Sequence, residues 1–421
     1  MGLRWSKPRW ILCALVLLLV AGHVAVIVGL PEPRFWGDEG HYLELAKAEA
    51  KEPGWSLLPG TFGFDHRQVL NVRLLSLFAP DVYPAIAILN LGFLITLVLC
   101  TYSIARQLGL SSVAGLGAAG FLALFPWIGF HVHALWPETL HMALFAAILL
   151  LFLRFFETPK LGLLIGAGVA TAYALFAKGT LQPFLVLFFA FLVWRFVRLP
   201  GPLGAHVRRG LLAVVAFGLP LLLLLFPQLY ANQKAGHGMR LSANRWWNLE
   251  AGLTTSESHK LREIDLDYWA SSEDLAERER LARKRTLEYI SETGILTVAR
   301  MQLAKFWKLV SKKRSGFERS LHDFQRWGTS PPKALTRLES SARIAWFALW
   351  VLGLLGVVLL FRRSLGWNFL ALLVMAYVIA LIAVPVKIRF ALPVVPLLVL
   401  FAAGACDELW KWGRRRAAQR T

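Results

Sequence analysis

Ten stretches of this chain are apolar over the length needed to cross a lipid bilayer, and no other feature limits the possible folds so severely. Hydrocarbon offers the backbone no hydrogen-bond partners, so an apolar run of about 20 residues becomes a helix that satisfies itself. The runs fall near 10–30, 83–104, 112–130, 138–156, 161–177, 181–197, 210–229, 343–361, 367–384 and 389–405. The predicted fold class is an all-α polytopic membrane protein of about ten transmembrane helices with a smaller extracytoplasmic α-rich region. A hydrophobic content of 57% and a mean hydropathy of +0.53 are what such a fold requires.

The charge balance is strongly basic, +20 from 46 Lys and Arg against 26 Asp and Glu. In a soluble protein that excess would point to nucleic acid. Here the basic residues gather at the ends of the apolar runs, where they anchor to anionic headgroups, so membrane lipids are the expected partners and nucleic acid is not. Cys13, Cys100 and Cys406 lie in or beside apolar runs without metal-ligand spacing, which implies neither a disulfide framework nor a zinc site. Arg4, Lys7 and Arg9 precede a first run long enough to span, with no clear small-residue cleavage site after it, so this run reads as an uncleaved signal anchor.

With the N-terminus in the cytoplasm, the inside segments receive Arg106, Arg154, Lys160, Arg195, Arg198, Arg208, Arg209, Arg362, Arg363 and the tail Lys411, Arg414, Arg415 and Arg416. The positive-inside rule is met at every turn. The other side then receives the loop 31–82, the turn 131–137, residues 177–180, a long segment 230–342 and the turn 385–388. Three regions follow: 1–229 as a transmembrane catalytic core, 230–342 as an extracytoplasmic segment, and 343–421 as the last helices with a basic cytoplasmic tail. Within the outer parts, 38–51, 66–78, 272–290 and 300–313 have helical spacing, the last interleaving Phe306, Trp307 and Leu309 with lysines as an interfacial helix does.

Nearly all the chemically suggestive residues fall on that outer side. Asp38-Glu39, in Phe35-Trp36-Gly37-Asp38-Glu39-Gly40-His41-Tyr42, is an acidic pair just after the first span. Adjacent carboxylates there are costly to bury and repel each other, so packing alone is a poor reason for them. Asp38 reads as a general base or as a helix N-cap, and Glu39 as a residue that orients an acceptor or binds a cation, or as a first-turn carboxylate that favours the helix dipole. Glu138 follows Pro137 at the start of a span and is either another first-turn carboxylate or a group facing a cavity. His131, His133, Glu138 and His141 have the composition of a metal site, although only Glu138 and His141 share i, i+3 spacing. Lys178, Lys387 and Arg389 are cations at outer helix ends, suited either to a phosphate or to snorkelling. The stretch Asn244-Arg245-Trp246-Trp247-Asn248 is either a sugar-stacking platform or part of an interfacial aromatic belt.

These residues resemble the GT-C class of polytopic glycosyltransferases, of the protein O-mannosyltransferase and lipid A aminoarabinose transferase type. Members share an Asp-Glu pair followed by a tyrosine in the first outer loop, matched by Asp38, Glu39 and Tyr42. Further matches come in the family's order: Pro137-Glu138-Thr139, Ala177-Lys178-Gly179, the outer helix around Tyr289, Ile290, Lys305 and Trp307, and Lys387-Ile388-Arg389-Phe390 before Pro393 and Pro396. The resemblance implies a glycosyltransferase that moves a sugar from a polyprenyl (undecaprenyl) phosphate donor to an extracytoplasmic glycan, lipid or protein acceptor, with inversion at the anomeric carbon. It implies Asp38 as base with Glu39 beside it, and Lys178 and Arg389 as phosphate ligands together with Lys387. The expected location is a cytoplasmic (inner) membrane, with the active site facing the periplasm or exterior. The chain departs from the aminoarabinose transferases after the acidic pair, where their Lys-Pro-Pro element is replaced by Phe64-Asp65-His66-Arg67 and then Arg73. Arg67 or Arg73 then either takes over phosphate contact or flanks an interfacial helix. No organic cofactor is implied, and a divalent cation stays open. The rival reading is a transporter or flippase of lipid-linked sugars, but related halves and midplane breaks are not evident in the sequence.

Overall fold

The computed structural model describes residues 7–29, 38–51, 69–79, 82–197, 203–234, 238–241, 245–254, 275–311, 333–383 and 388–419. Among them every regular element is helical. Eight helices are long and apolar enough to cross a membrane: α1 (Lys7–Gly29), α4 (Ala85–Gln107), α7 (Glu138–Glu157), a 3-10 turn (Gly179–Phe184) running into α9 (Leu185–Val197), α10 (Leu203–Lys234), α14 (Lys333–Leu360), α15 (Leu365–Ala383), and α16 (Ile388–Ala391) running through a second 3-10 turn into α17 (Val395–Ala418). A ninth span is made if α5 (Ser112–Leu124) and α6 (Pro126–Val132), which meet at 56°, count as one. The tenth expected run is α8 (Leu161–Ala177), whose 17 residues reach only about 26 Å at 1.5 Å per residue, short of a full bilayer core.

The bend between α5 and α6 has a local cause. Pro126 has no N–H to give the helix and forces the preceding Phe125 into extended backbone, with φ −72° and ψ 116°. The hydropathy of 112–130 runs straight through this point, so composition alone reads one span. Instead α6 turns across the end of the bundle, its Trp127 Nε1 donating to the buried Glu339 of α14 at 3.1 Å.

Large apolar side chains lie both inside and outside the bundle, as expected of a helix set solvated by lipid. Leu17, Leu18, Leu222, Leu223, Val358 and Ile379 are all exposed, while Phe152 of α7, Phe188 of α9, Phe217 of α10 and Phe369 of α15 meet in the centre, Phe152 lying 4.9–5.7 Å from the other three ring centroids. A soluble protein would not show so much of the first group. Close helix approach rests on glycine: Gly353 and Gly356 of α14 leave no room for a Cβ against Leu398 and the Phe401 carbonyl of α17.

Outside the spans, α2 (Asp38–Lys51) packs on α3 (Val69–Ser76), and α11 (Arg245–Thr254), α12 (Leu275–Thr293) and α13 (Ile295–Val310) form a second group. The expected helix 38–51 is reproduced residue for residue. Among the described residues the others are helical over Val69–Ser76 for 66–78, Leu275–Thr293 for 272–290 and Ile295–Val310 for 300–313, while 66–68, 272–274 and 312–313 lie outside the described part. Gly294, at φ +82°, allows α12 to turn directly into α13, so the second helix starts five residues earlier than its lysine pattern suggests. The indole of Trp346 on α14 donates to the Leu309 carbonyl at 2.8 Å, and Lys305 donates to the Gly252 carbonyl at 2.7 Å, closing the exposed C-terminus of α11. Trp246 serves this packing, since its backbone N–H donates to both carboxylate oxygens of Glu279 and its ring lies under Arg283.

Candidate functional site

The turn between α6 and α7, residues 133–137, is the point on which the site is built. Backbone polar groups there are buried and need partners. Asn90, an amide in the apolar N-terminal half of α4, donates to the carbonyls of Val132 at 3.3 Å and Ala134 at 3.0 Å. Asn71 of α3 donates to the Leu135 carbonyl at 2.7 Å, and Glu39 of α2 accepts from the Leu135 N–H at 2.6 Å. The first outer loop is thereby clamped to a turn 96 residues away. Thr139 adds a bond to the His131 carbonyl at 3.1 Å.

Asp38 is the first residue of α2, next in sequence to Glu39, and its side chain is outside the described part. Glu39 is buried with one oxygen committed to Leu135. Tyr42 is buried one turn further on, in an apolar cluster with Val72, Leu75, Leu135 and Trp136. Arg73 turns back on α2, where its guanidinium lies 3.9 Å from Glu49. Burial lowers the pKa of Arg73 while Glu49 raises it. Arg67 and Lys387 lie outside the described residues.

Below the turn, Glu138 opens α7 and Lys178 ends α8. They form an ion pair of 2.9 Å, with both side chains almost wholly buried. Lys178, expected as a phosphate ligand, is here ion-paired with Glu138, 40 residues earlier. Arg389 of α16 is a second cation here, its guanidinium 5.2 Å from the Trp136 ring and 5.4 Å from the Phe390 ring; Lys178 lies 5.1 Å from Phe390 as well. Both cations therefore border one phenylalanine.

The proposed metal cluster of His131, His133, Glu138 and His141 does not form. Among the described residues no group of three or more His, Cys, Asp or Glu is arranged to hold a metal. His133 and His141 have both ring nitrogens committed elsewhere, and His131 has one. His141 Nδ1 donates to the Ala174 carbonyl at 3.2 Å, leaving Nε2 to accept from the Thr180 hydroxyl at 3.0 Å. His133 pairs with His23 of α1 at 2.9 Å and meets the Tyr83 hydroxyl at 3.3 Å; burial, with His23 adding to it, holds its pKa down to about 4. His131 Nδ1 donates to the Trp127 carbonyl at 2.7 Å. With only His131 Nε2 and Glu138 Oε2 left over, the described donors are too few to fit a divalent cation.

Asn71, Asn90 and Glu339 were missed as organising residues. Asn90 did leave a signal, an amide within the apolar run 85–95. Glu339 left a weaker one, because its i, i+4 partner Arg343 at 2.8 Å looks like an ordinary surface pair.

No family model matches this chain, and no curated protein matches it. Thirteen chains of solved structures do match. One is the crystal structure of the Archaeoglobus fulgidus oligosaccharyltransferase tethered to an acceptor peptide, with a TM-score of 0.50 and 12% identity over 97% of this chain and 50% of that one. The chain thus spans about half the length of that protein. At this identity the likeness is one of fold. Together with the apolar helices, it shows an all-helical polytopic membrane protein of GT-C-like architecture.

Proposed function

We propose that this protein is a membrane glycosyltransferase that moves a sugar from a polyprenyl monophosphate to a hydroxyl of a glycan, lipid or protein acceptor, inverting the anomeric carbon. The observation that carries the reading is the Glu39 bond to Leu135. It joins the acidic pair of the first loop to the turn that leads into Glu138, Lys178 and Arg389. A base and a cation are thereby supported by one rigid turn, which is what displacement of a phosphate by a hydroxyl needs. The archaeal oligosaccharyltransferase of like fold gives the same direction, since it was crystallised with an acceptor peptide.

In this mechanism the acceptor oxygen attacks the anomeric carbon while Asp38 takes its proton. The bond from that carbon to the phosphate oxygen breaks on the opposite face, and its electron pair leaves with the lipid phosphate. Arg389 stabilises the charge growing on that phosphate, with Lys178 as a second donor whose net charge is offset by Glu138, and with Lys387 and Arg67 as further candidate ligands. Glu39 holds the loop so that Asp38 keeps its place, and Tyr42 packs that loop from below. Arg73 acts at one remove, tying α3 to α2. The orientation that suits this chemistry puts the site outside a cytoplasmic membrane.

The test is mass spectrometry of lipids that co-purify with the full-length protein and with Asp38→Asn. The expected result is a glycosylated polyprenyl monophosphate on the variant and bare lipid phosphate on the wild type. Finding neither lipid on a folded preparation of either would overturn the donor assignment.

A further inference from the structure

Three buried polar atoms within eight residues of one another have no hydrogen-bond partner among the described residues: His131 Nε2, Trp136 Nε1 and Glu138 Oε2. The side chains are well enclosed, the residues being 3%, 7% and 2% exposed. Native interiors leave few such atoms, and three in one place call for a reason. They also belong together, since the His131 and Trp136 rings are 5.5 Å apart and Thr139 ties the segment after Glu138 back to the His131 carbonyl at 3.1 Å.

Their hydrogen-bonding character is fixed by what the other ends of the groups do. A carbonyl only accepts, so the 2.7 Å contact between His131 Nδ1 and Trp127 O places the imidazole proton on Nδ1 and makes Nε2 an acceptor in the neutral ring. Glu138 Oε1 accepts from Lys178, which leaves Oε2 as a second acceptor. The indole N–H of Trp136 can only donate. One donor and two acceptors discriminate between ligands. A phosphate oxygen satisfies the indole and is repelled by the other two, and an ammonium does the reverse. A hydroxyl both donates and accepts, and neighbouring hydroxyls on one ring can serve all three.

We propose that His131, Trp136 and Glu138 form a subsite that reads the hydroxyls of the donor sugar, a polyhydroxylated ring attached to phosphate. Arg389 lies 5.2 Å from the Trp136 ring on the same cluster, so a cation for the phosphate and a reader for the sugar are neighbours, as they must be for a glycosyl phosphate. This inference rests on the transferase reading and adds the means by which sugar is distinguished from bare lipid.

The experiment is native mass spectrometry of the full-length protein titrated with two probes, undecaprenyl phosphate and the same lipid carrying one hexose. Trp136→Phe removes the N–H and keeps a ring, and His131→Phe removes the acceptor. Wild type should prefer the glycosylated probe, and each variant should lose about fivefold of that preference per missing hydrogen bond while holding bare undecaprenyl phosphate as before. A wild-type preference that both variants keep would overturn the subsite and leave the transferase reading standing. Equal binding of the two probes by wild type would also overturn it, leaving the three atoms to ordinary buried water. Binding of neither probe would overturn both readings.

Discussion

The two ends of the helix bundle are built from the same ion-pair chemistry and put it to different use. At the basic end, Lys411 meets Asp407 at 2.7 Å and Arg363 meets Glu408 at 2.7 Å, with the cations 39% and 47% exposed. At the end that carries the acidic loop, Lys178 meets Glu138 at 2.9 Å with the cation 6% exposed. Water and headgroups can reach both cations at the first end. Nothing comparable is at hand for the second, so the pair there fixes a geometry rather than decorating a surface. At the basic end Asp407 also takes the Ser111 N–H at 3.2 Å, whereas at the other end Glu138 keeps one carboxylate oxygen without a partner among the described residues.

The largest effect expected from breaking this contrast comes from Lys178→Met. It leaves Glu138 buried without its cation and should cost about 3–5 kcal/mol, read as a lower melting temperature of the detergent-purified protein. Adding Glu138→Met should recover most of that loss, since a matched apolar pair has no charge to desolvate. Glu39→Leu comes next. It strips the buried Leu135 N–H of its acceptor at a cost of about 1–3 kcal/mol, and protease access to the first loop should rise.

A pH titration sharpens the same comparison. The ordinary pKa of a histidine is 6.5, and that of His133 is held to about 4 in the fold. Between those values the unfolded chain takes up a proton that the folded one refuses, so the stability contributed by the neutral His133 is complete above 6.5 and is lost as pH falls toward 4. Melting temperature measured across this window should fall more in wild type than in His133→Gln. The smallest effect belongs to the basic end, where Arg363→Met should shift stability by less than about 1 kcal/mol because both partners of its pair with Glu408 are partly solvated.

The spans were legible in the sequence because hydrocarbon makes each helix a local matter: an apolar run carries its own hydrogen bonds and needs no partner to declare it. Pro126 shows where that reading stops, for the run continues through a bend that only backbone sterics impose. The site was legible in its residue types and not in its pairings. Asp38-Glu39, Glu138, Lys178 and Arg389 stand out as ionisable groups near membrane depth, yet nothing local says that Lys178 belongs to Glu138 or that Glu39 holds Leu135. Those bonds cross 40 and 96 residues and exist only after the helices pack. The histidines misled for the same reason, since composition suggests a metal where packing gives each ring a separate carbonyl, hydroxyl or histidine partner.

The most direct test of the account is the rate at which membranes holding the full-length protein convert glycosylated polyprenyl monophosphate to the bare lipid, compared among wild type, Asp38→Asn and Lys411→Met. Loss of a positioned general base should slow the conversion by about 10²–10⁴-fold in Asp38→Asn. Its melting temperature should stay at the wild-type value, and Lys411→Met should convert at the wild-type rate. Wild-type conversion by Asp38→Asn would contradict the assignment of chemistry to the acidic end of the bundle.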